Sequence, residues 1–285
     1  MILIGGSTGQ LGKEVVAQLL RHNAKERFVA LARDPDKAKI YIDQGIEVRY
    51  GDFDDPGKLT AVFDGIDRFL FISTMSTNRG EQQGLVVDAA RAAGVRHIVY
   101  TGLAIRDIER SGVRDLMASH FETEDRIRES GMKWTFLRNT MYAEAIAQII
   151  GPQALSDGIF LPGGIGRVPY ALRTEMGEAT ANLLLQEGHE GKIYQITGNS
   201  AWSYTDIAAS LSRMTGRNIP YKEISEEALA ATLRASGMPD FPIWLTLGTI
   251  RDIRNGQYEI TSHDLEMLLG RAPKSLDQML SAIFA

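Results

Sequence analysis

Three glycines, Gly6, Gly9 and Gly12, follow directly on the apolar run Ile2-Leu3-Ile4 and lead into a helical pattern. That order of strand, glycine-spaced turn and helix is what a dinucleotide pyrophosphate needs. One glycine makes the tight turn, a second lets the backbone approach the phosphates, and a third lets the helix lie close to the strand. The helix N-terminus supplies N–H donors and the positive end of its dipole. The spacing is GxxGxxG, and in a chain with 28 glycines the match alone says little. Its place between a strand and a helix carries the reading.

A second strand ends in Ala30-Leu31-Ala32-Arg33, about 20 residues past the last glycine, where an acid usually bonds the ribose hydroxyls. Arg33 in its place can pair with a 2′-phosphate and stack on adenine, which favours NADPH over NADH. The plain alternative is a surface arginine with no ligand. Lys37, one turn into the next helix, is placed to assist. Asp52-Phe53, after the third strand, sit where an adenine would lie, and Phe53 is equally suited to the core. A separate pair, His120 and Glu124, is spaced i,i+4, so the two share one helical face and are placed to interact. The plain reading of His120 is a helix residue bonded to Glu124. A metal site there lacks a further ligand cluster, so no metal is expected.

Elements that could hold these groups are legible in the pattern. Leu11, Val15, Val16, Leu19 and Leu20 mark a helix over 10–23. Strands are expected over 28–32, 46–50, 68–72, 97–100, 134–137 and 193–197. Asp34 as cap and Pro35 in the first turn predict a helix over 36–44. Helices are also expected over 84–93, as one long element over 114–130, and over 175–187, with 73–80 a polar loop. Ser203 to Asp206 reads as a capping box before a helix over 207–215. Further helices are expected over 226–235, 264–269 and 276–283.

Short apolar strands alternating with helices imply right-handed crossovers and a parallel sheet covered on both faces, an α/β fold. The cofactor domain should span 1–150 with a return segment near 168–198, and 151–167 with 199–285 should form a smaller, mainly helical lobe. A ligand is expected in the cleft between them, at the carboxyl ends of the strands. The chain has 285 residues, 44% hydrophobic and 24% charged, with a net charge of −5. That balance argues against a nucleic-acid footprint. Without cysteine there is no disulfide, thiolate metal site or cysteine nucleophile. No leader pattern or membrane-length apolar run is read, so the default expectation is a cytoplasmic protein, monomer or homodimer.

The segments GGSTGQLG, LARDPDKA, GDFDDP, GVRHIVYTG, HFETE at 120–124, WTFLRNTMY and GHEGKIYQITGNSAW, in this order, resemble the NmrA-like, atypical short-chain dehydrogenase/reductase family over nearly the whole chain. The likeness is greatest to its NADPH-dependent quinone-reducing and triphenylmethane-dye-reducing bacterial members. The resemblance implies a Rossmann doubly wound sheet with a small C-terminal lobe. It places cofactor contacts at Gly6, Ser7, Thr8, Gly9, Gln10, Leu11 and Arg33. It also puts Ile72, Ser73 and Thr74 near the nicotinamide ribose, and Asn139, Thr140 and Tyr142 near the nicotinamide. Gly5 stands where relatives often carry Thr, a departure expected to matter little.

Ordinary short-chain reductases carry Tyr-x-x-x-Lys on the helix that here carries His120 and Glu124, so their proton donor is absent. Hydride delivery to a ketone makes an alkoxide whose conjugate acid has a pKa of about 16, and such a step benefits from a donor. Delivery to a quinone makes a phenolate-type anion of pKa about 10, and a cationic dye becomes neutral. For such acceptors, orientation in a dry cleft suffices. The expectation is therefore an NADPH-dependent oxidoreductase acting on a small, electron-poor aromatic such as a quinone. His120 is a candidate for proton transfer with Glu124 beside it. Tyr142 either contacts substrate or packs in the core. Met75, Leu103, Phe121 and Trp244 either line an aromatic cleft or pack. The alternative is a non-catalytic NADP(H)-binding redox sensor. Sugar-nucleotide epimerisation fits the fold but lacks the Tyr–Lys pair it requires.

Overall fold

In a computed structural model of the chain, which describes residues 1–284, the apolar runs become a seven-stranded sheet. Its strands are β1 (Ile2–Gly5), β2 (Phe28–Ala32), β3 (Val48–Tyr50), β4 (Arg68–Ile72), β5 (His97–Leu103), β6 (Lys133–Asn139) and β8 (Lys192–Ile196). A further pair, β7 (Ile159–Leu161) and β9 (Tyr221–Glu223), lies apart and is parallel. The main order is β3-β2-β1-β4-β5-β6-β8, and β1 to β6 pair in parallel. The order reverses between β1 and β4, in register Ile4↔Leu70 and Gly5↔Phe71. The carboxyl ends of those two strands are the switch point at which such sheets bind ligands. This is the doubly wound α/β fold expected.

Strands β1, β2 and β4 are buried almost throughout, which is why they read as continuous apolar runs. The core against one face is aromatic. Phe69 and Phe71 stack at 5.1 Å, and Phe63, Phe53 and Tyr100 meet them edge-on or tilted. Gly5 matters more than expected here. A β-carbon on it would stand 2.7 Å from the Phe69 ring and 3.0 Å from the Leu70 carbonyl oxygen. Phe69 takes up the space that a threonine would need.

Two compact units form. The first holds Met1–Leu103, Leu116–Asn139 and Arg173–Tyr194; the second holds Ala104–Asp115, Thr140–Leu172 and the chain from Gln195 onward. In the second, the capping box is complete: Ser203 Oγ accepts from the Asp206 N–H at 3.2 Å and Asp206 accepts from the Ser203 N–H at 2.9 Å. Among the described residues, no helix is long and apolar enough to cross a membrane.

Two local expectations fail for physical reasons, and one helix leaves no clear mark in the sequence pattern. Helix Arg79–Ala92 begins five residues before 84, where no apolar period marks it: its first turns are Arg79, Gly80, Glu81, Gln82 and Gln83, three of them buried polar side chains. The single helix expected over 114–130 is two, Arg114–Met117 and Ser119–Glu129. The break follows from Leu116, whose carbonyl accepts from Arg79 Nη2 at 2.5 Å and from Ser119 Oγ at 2.7 Å. A side chain inserted into the helical ladder interrupts it. The helix Asp240–Arg254 was not anticipated, because Pro242 and Gly248 obscure its pattern; Pro242 stands in the first turn, where no N–H is required.

Candidate functional site

At the switch point the first unit carries a cavity of about 400 Å³, lined by Gly6, Thr8, Leu31, Arg33, Gly51, Asp52, Phe53, Asp54, Thr74, Met75, Ser76 and Gln82. Its floor is the glycine turn. Gly6 has φ +72°, a conformation that favours glycine. A β-carbon on Gly12 would stand 2.1 Å from the Gly6 oxygen, so the helix Gln10–Arg21 approaches the turn as closely as a bare backbone allows. Gly9 is exposed, and a β-carbon there would meet only the Gly6 oxygen, at 3.2 Å. The helix N-terminus has no side-chain cap. Its first N–H groups are the donors an anion would use. A phosphate cradle fits this geometry.

The residues of the loop divide by what their side chains do. Thr8 faces the cavity. Gln10 is exposed beside it in sequence. Ser7 is fully buried: its Oγ donates to the Leu31 carbonyl at 2.7 Å, and its own carbonyl accepts from Tyr41 Oη at 2.6 Å. Its hydroxyl ties the turn to β2 and the next helix, leaving only its backbone for a ligand. Leu11 likewise spends its side chain in the core.

Arg33 stands at the cavity with 69% of its side chain exposed. Its Nη1 is 3.7 Å from Asp52 and 3.9 Å from Asp54, both long for ion pairs. Arg33 is thus exposed at the cavity and only loosely engaged by carboxylates. Lys37 is not brought to the cavity: its Nζ lies 3.8 Å from Asp34, whose carboxylate caps the helix Pro35–Asp43 by accepting from the Asp36 N–H at 2.9 Å. Phe53 lines the cavity and also meets Phe71 edge-on at 5.2 Å.

The opposite wall is the loop after β4. Ile72 and Ser73 are half-buried, and the Ser73 N–H donates to Thr101 Oγ1 at 3.0 Å. Thr74 Oγ1 donates to Gln82 Oε1 at 2.6 Å, and Gln82 Nε2 donates to Asp54 Oδ1 at 2.5 Å. This chain joins the two walls. Sequence reasoning missed Asp54 and Gln82, since neither stands in a pattern that marks it.

Helix Ser119–Glu129 does not form the expected His120–Glu124 contact. His120 is buried, and its Nδ1 shares a hydrogen bond with Tyr100 Oη at 3.0 Å. Burial, seconded by the Arg79 charge, holds its pKa well below the ordinary value, so the ring is neutral. Tyr100 also donates to Gln83 Oε1 at 2.8 Å, and burial raises its phenol far above the usual range. Glu124, with no exposed surface, accepts from Arg138 Nε and Nη2 at 2.9 and 2.7 Å. This side-on pair draws its carboxylate onto β6 and away from His120. Arg138 also lies over Phe121 at 5.1 Å, which commits that ring to packing.

Asn139 closes β6 opposite Leu103 and is buried. Thr140 donates its N–H to the Ile196 carbonyl at 3.0 Å, but its enclosed Oγ1 has no partner. Tyr142 is half-buried and bridges to Ala171. Met75 lines the cavity and is 66% exposed, whereas Trp244 pairs with Phe241 at 5.7 Å on the helix Asp240–Arg254.

Residues 1–278 match the model of the NmrA-like family. The chain belongs to that family. It is 36% identical over 287 residues to quinone oxidoreductase 2 of Escherichia coli, covering all of this chain and 99% of that one. It is 29% identical to an NAD(P)H azoreductase of Xenophilus azovorans, over 96% of this chain and 92% of the relative. Among solved structures, the Citrobacter triphenylmethane reductase complexed with NADP(H) superposes with a TM-score of 0.93 at 34% identity, covering 100% of both chains. The E. coli NADPH-dependent quinone oxidoreductase complexed with NADPH does so with a TM-score of 0.92, also at 34% identity and full coverage.

Proposed function

We propose that this chain is an NADPH-dependent oxidoreductase that passes hydride to a quinone or a similar planar, electron-poor aromatic acceptor. The observation that carries the reading is the state of the helix where a proton donor would stand. His120 is enclosed and neutral, and the Glu124 carboxylate is consumed by Arg138. That helix offers no free acid, which favours an acceptor that needs none. Relatives named for quinones, azo compounds and triphenylmethane dyes support it, all of them conjugated acceptors.

NADPH bound in the cradle supplies the hydride. Arg33 holds the 2′-phosphate, a stronger partner than the two carboxylates that reach it at 3.7 and 3.9 Å. Backbone N–H groups from Gly6 to Leu11 hold the pyrophosphate, with Ser7, Gly9 and Leu11 acting through backbone alone and Thr8 and Gln10 also offering side chains. Asp52 and Phe53 border the adenine. Ile72, Ser73 and Thr74 flank the nicotinamide ribose. Asn139, Thr140 and Tyr142 attend the nicotinamide, and the Thr140 hydroxyl, which lacks a partner, is a group a ligand would satisfy. The reduced acceptor, an anion whose conjugate acid has a pKa of about 10, takes its proton from water.

The test is incubation with NADPH and a panel of quinones, azo compounds and cationic dyes, followed by the absorbance of the reduced nicotinamide. Oxidation with at least one class, and preference for NADPH over NADH, is expected. Tight NADP(H) binding with no turnover of any acceptor would overturn the reading in favour of a redox sensor.

A further inference from the structure

Arg79, at the start of helix Arg79–Ala92, has 1% of its surface exposed. Its Nε donates to Ser119 Oγ at 2.8 Å, Nη1 to the Thr74 carbonyl at 3.0 Å, and Nη2 to the Leu116 carbonyl at 2.5 Å. The thioethers of Met75 and Met117 complete the shell, at 4.0 Å from Nη1 and 3.7 Å from Nη2. None of these partners is anionic. Among the described residues no carboxylate stands within ion-pair distance of it. Glu122 is exposed and acts only through space, and Glu124 is committed to Arg138.

Such an arrangement is costly. Taking a guanidinium out of water costs several kcal/mol, and neutral carbonyls return only part of it. A guanidinium also stays charged throughout the physiological range. The fold therefore keeps in its interior a positive charge that no anion contacts, and its position is informative. Thr74 and Met75, which the guanidinium touches, are cavity-lining residues, so the charge stands one residue behind the wall. Fixed charge in a water-poor interior acts on a neighbouring site without contact, and needs no reorganisation when charge develops there.

We propose that Arg79 serves in place of the missing acid, as a buried positive charge without a contacting anion behind the Thr74–Met75 wall that stabilises the anion formed when hydride reaches a quinone-type acceptor. This rests on the hydride-transfer reading above. In that step the C4–H bond of the dihydronicotinamide breaks and its electron pair forms the new bond to the acceptor. The acceptor oxygen carries the negative charge until water protonates it, and the nicotinamide is left cationic. Arg79 touches none of these atoms, so it is a positioning residue for charge.

An electrostatic role must reverse with the charge of the acceptor. A neutral quinone gains negative charge in the step and is helped. A cationic triphenylmethane dye brings positive charge to the site and is opposed. A role confined to holding the loop and helix would impair both acceptors alike.

The experiment compares the wild type with Arg79→Met and Arg79→Lys. In Arg79→Met, kcat/KM for a neutral quinone should fall about tenfold, less than the ~100-fold or more of a donor in direct contact. For a cationic dye it should rise. Arg79→Lys, which keeps the charge but not the planar fork, should retain most of the quinone rate. A second readout uses no turnover: p-nitrophenol, whose anion is coloured, titrated with each protein in the presence of NADP⁺. The wild type and Arg79→Lys should shift its ionisation to lower pH, and Arg79→Met should not. Quinone and dye rates falling together, equal loss in Lys and Met, or an unmoved phenol ionisation in the wild type would each overturn the proposal. Should the wild type reduce neither acceptor, the hydride-transfer reading fails, while the phenol titration still decides the charge. Should Arg79→Met fail to fold, the wild-type and Arg79→Lys titrations decide it.

Discussion

Arg33 and Arg79 flank the same cavity in opposite conditions. Arg33 is 69% exposed and held loosely by two carboxylates beyond 3.6 Å, at 3.7 and 3.9 Å. Arg79 is enclosed, and each of its nitrogens has an oxygen partner at 3.0 Å or less. The first can exchange its partners for a ligand at little cost, because water already solvates it. The second cannot, and what it offers a ligand is field and architecture. The same contrast separates the glycine turn, open to solvent at Gly9, from the Tyr100–His120–Glu124 face, closed everywhere. Availability to a ligand, more than residue type, distinguishes the open side of the cavity from its supporting side.

The most drastic way to break the open side is Gly12→Val. The new side chain collides with the turn, since even a β-carbon would stand 2.1 Å from the Gly6 oxygen. NADPH affinity by calorimetry should fall about 100-fold or more, roughly 2.7 kcal/mol. On the closed side, Glu124→Ala strands Arg138 and should cost about 2–3 kcal/mol in denaturant unfolding, somewhat below a pair buried on both sides because 22% of the Arg138 side chain stays exposed. A loss of kcat with stability unchanged would instead make Glu124 a participant in the chemistry. Arg33→Ala sharpens the open side: NADPH should bind about tenfold more weakly, roughly 1.4 kcal/mol, with NADH affinity little changed. Equal losses for both cofactors would remove Arg33 from 2′-phosphate recognition.

The smallest effect is on pH. Burial pushes His97 down to about 4, and His120 lies well below its ordinary value. In the unfolded chain both titrate near a pKa of about 6.5. As pH falls through that value, the unfolded state binds protons that the folded state refuses, so stability falls. From pH 7 to 6 each histidine should remove about 0.7 kcal/mol. His97→Gln should halve that part of the slope in urea titrations, and a slope unchanged by it would place His97 in a wetter environment.

How much could be read in advance varies by element. The strands Phe28–Ala32 and Arg68–Ile72 and the helices Glu226–Ala235 and Asp264–Leu269 coincide with their expected bounds. The Asp34 cap and the Ser203–Asp206 box also form. Each depends on its own neighbours: apolar runs bury, caps satisfy the nearest N–H groups, and a missing β-carbon is visible in one letter. His120 shows the opposite. Spacing alone paired it with Glu124, but helix packing offered a phenol 20 positions back and gave the carboxylate a guanidinium 14 positions ahead.

The chain's own letters therefore settle the α/β class, the glycine turn, the arginine in place of an acid and the missing Tyr–Lys donor, since all are matters of residue type and local order. Tertiary structure alone decides that Ser7 and Leu11 keep only their backbones free, that Asp54 and Gln82 join the cavity walls, and that Arg79 is enclosed without an anion. Those facts depend on which distant groups compete for the same donors and on how far water is excluded. Desolvation and long-range pairing leave no periodic mark along the sequence.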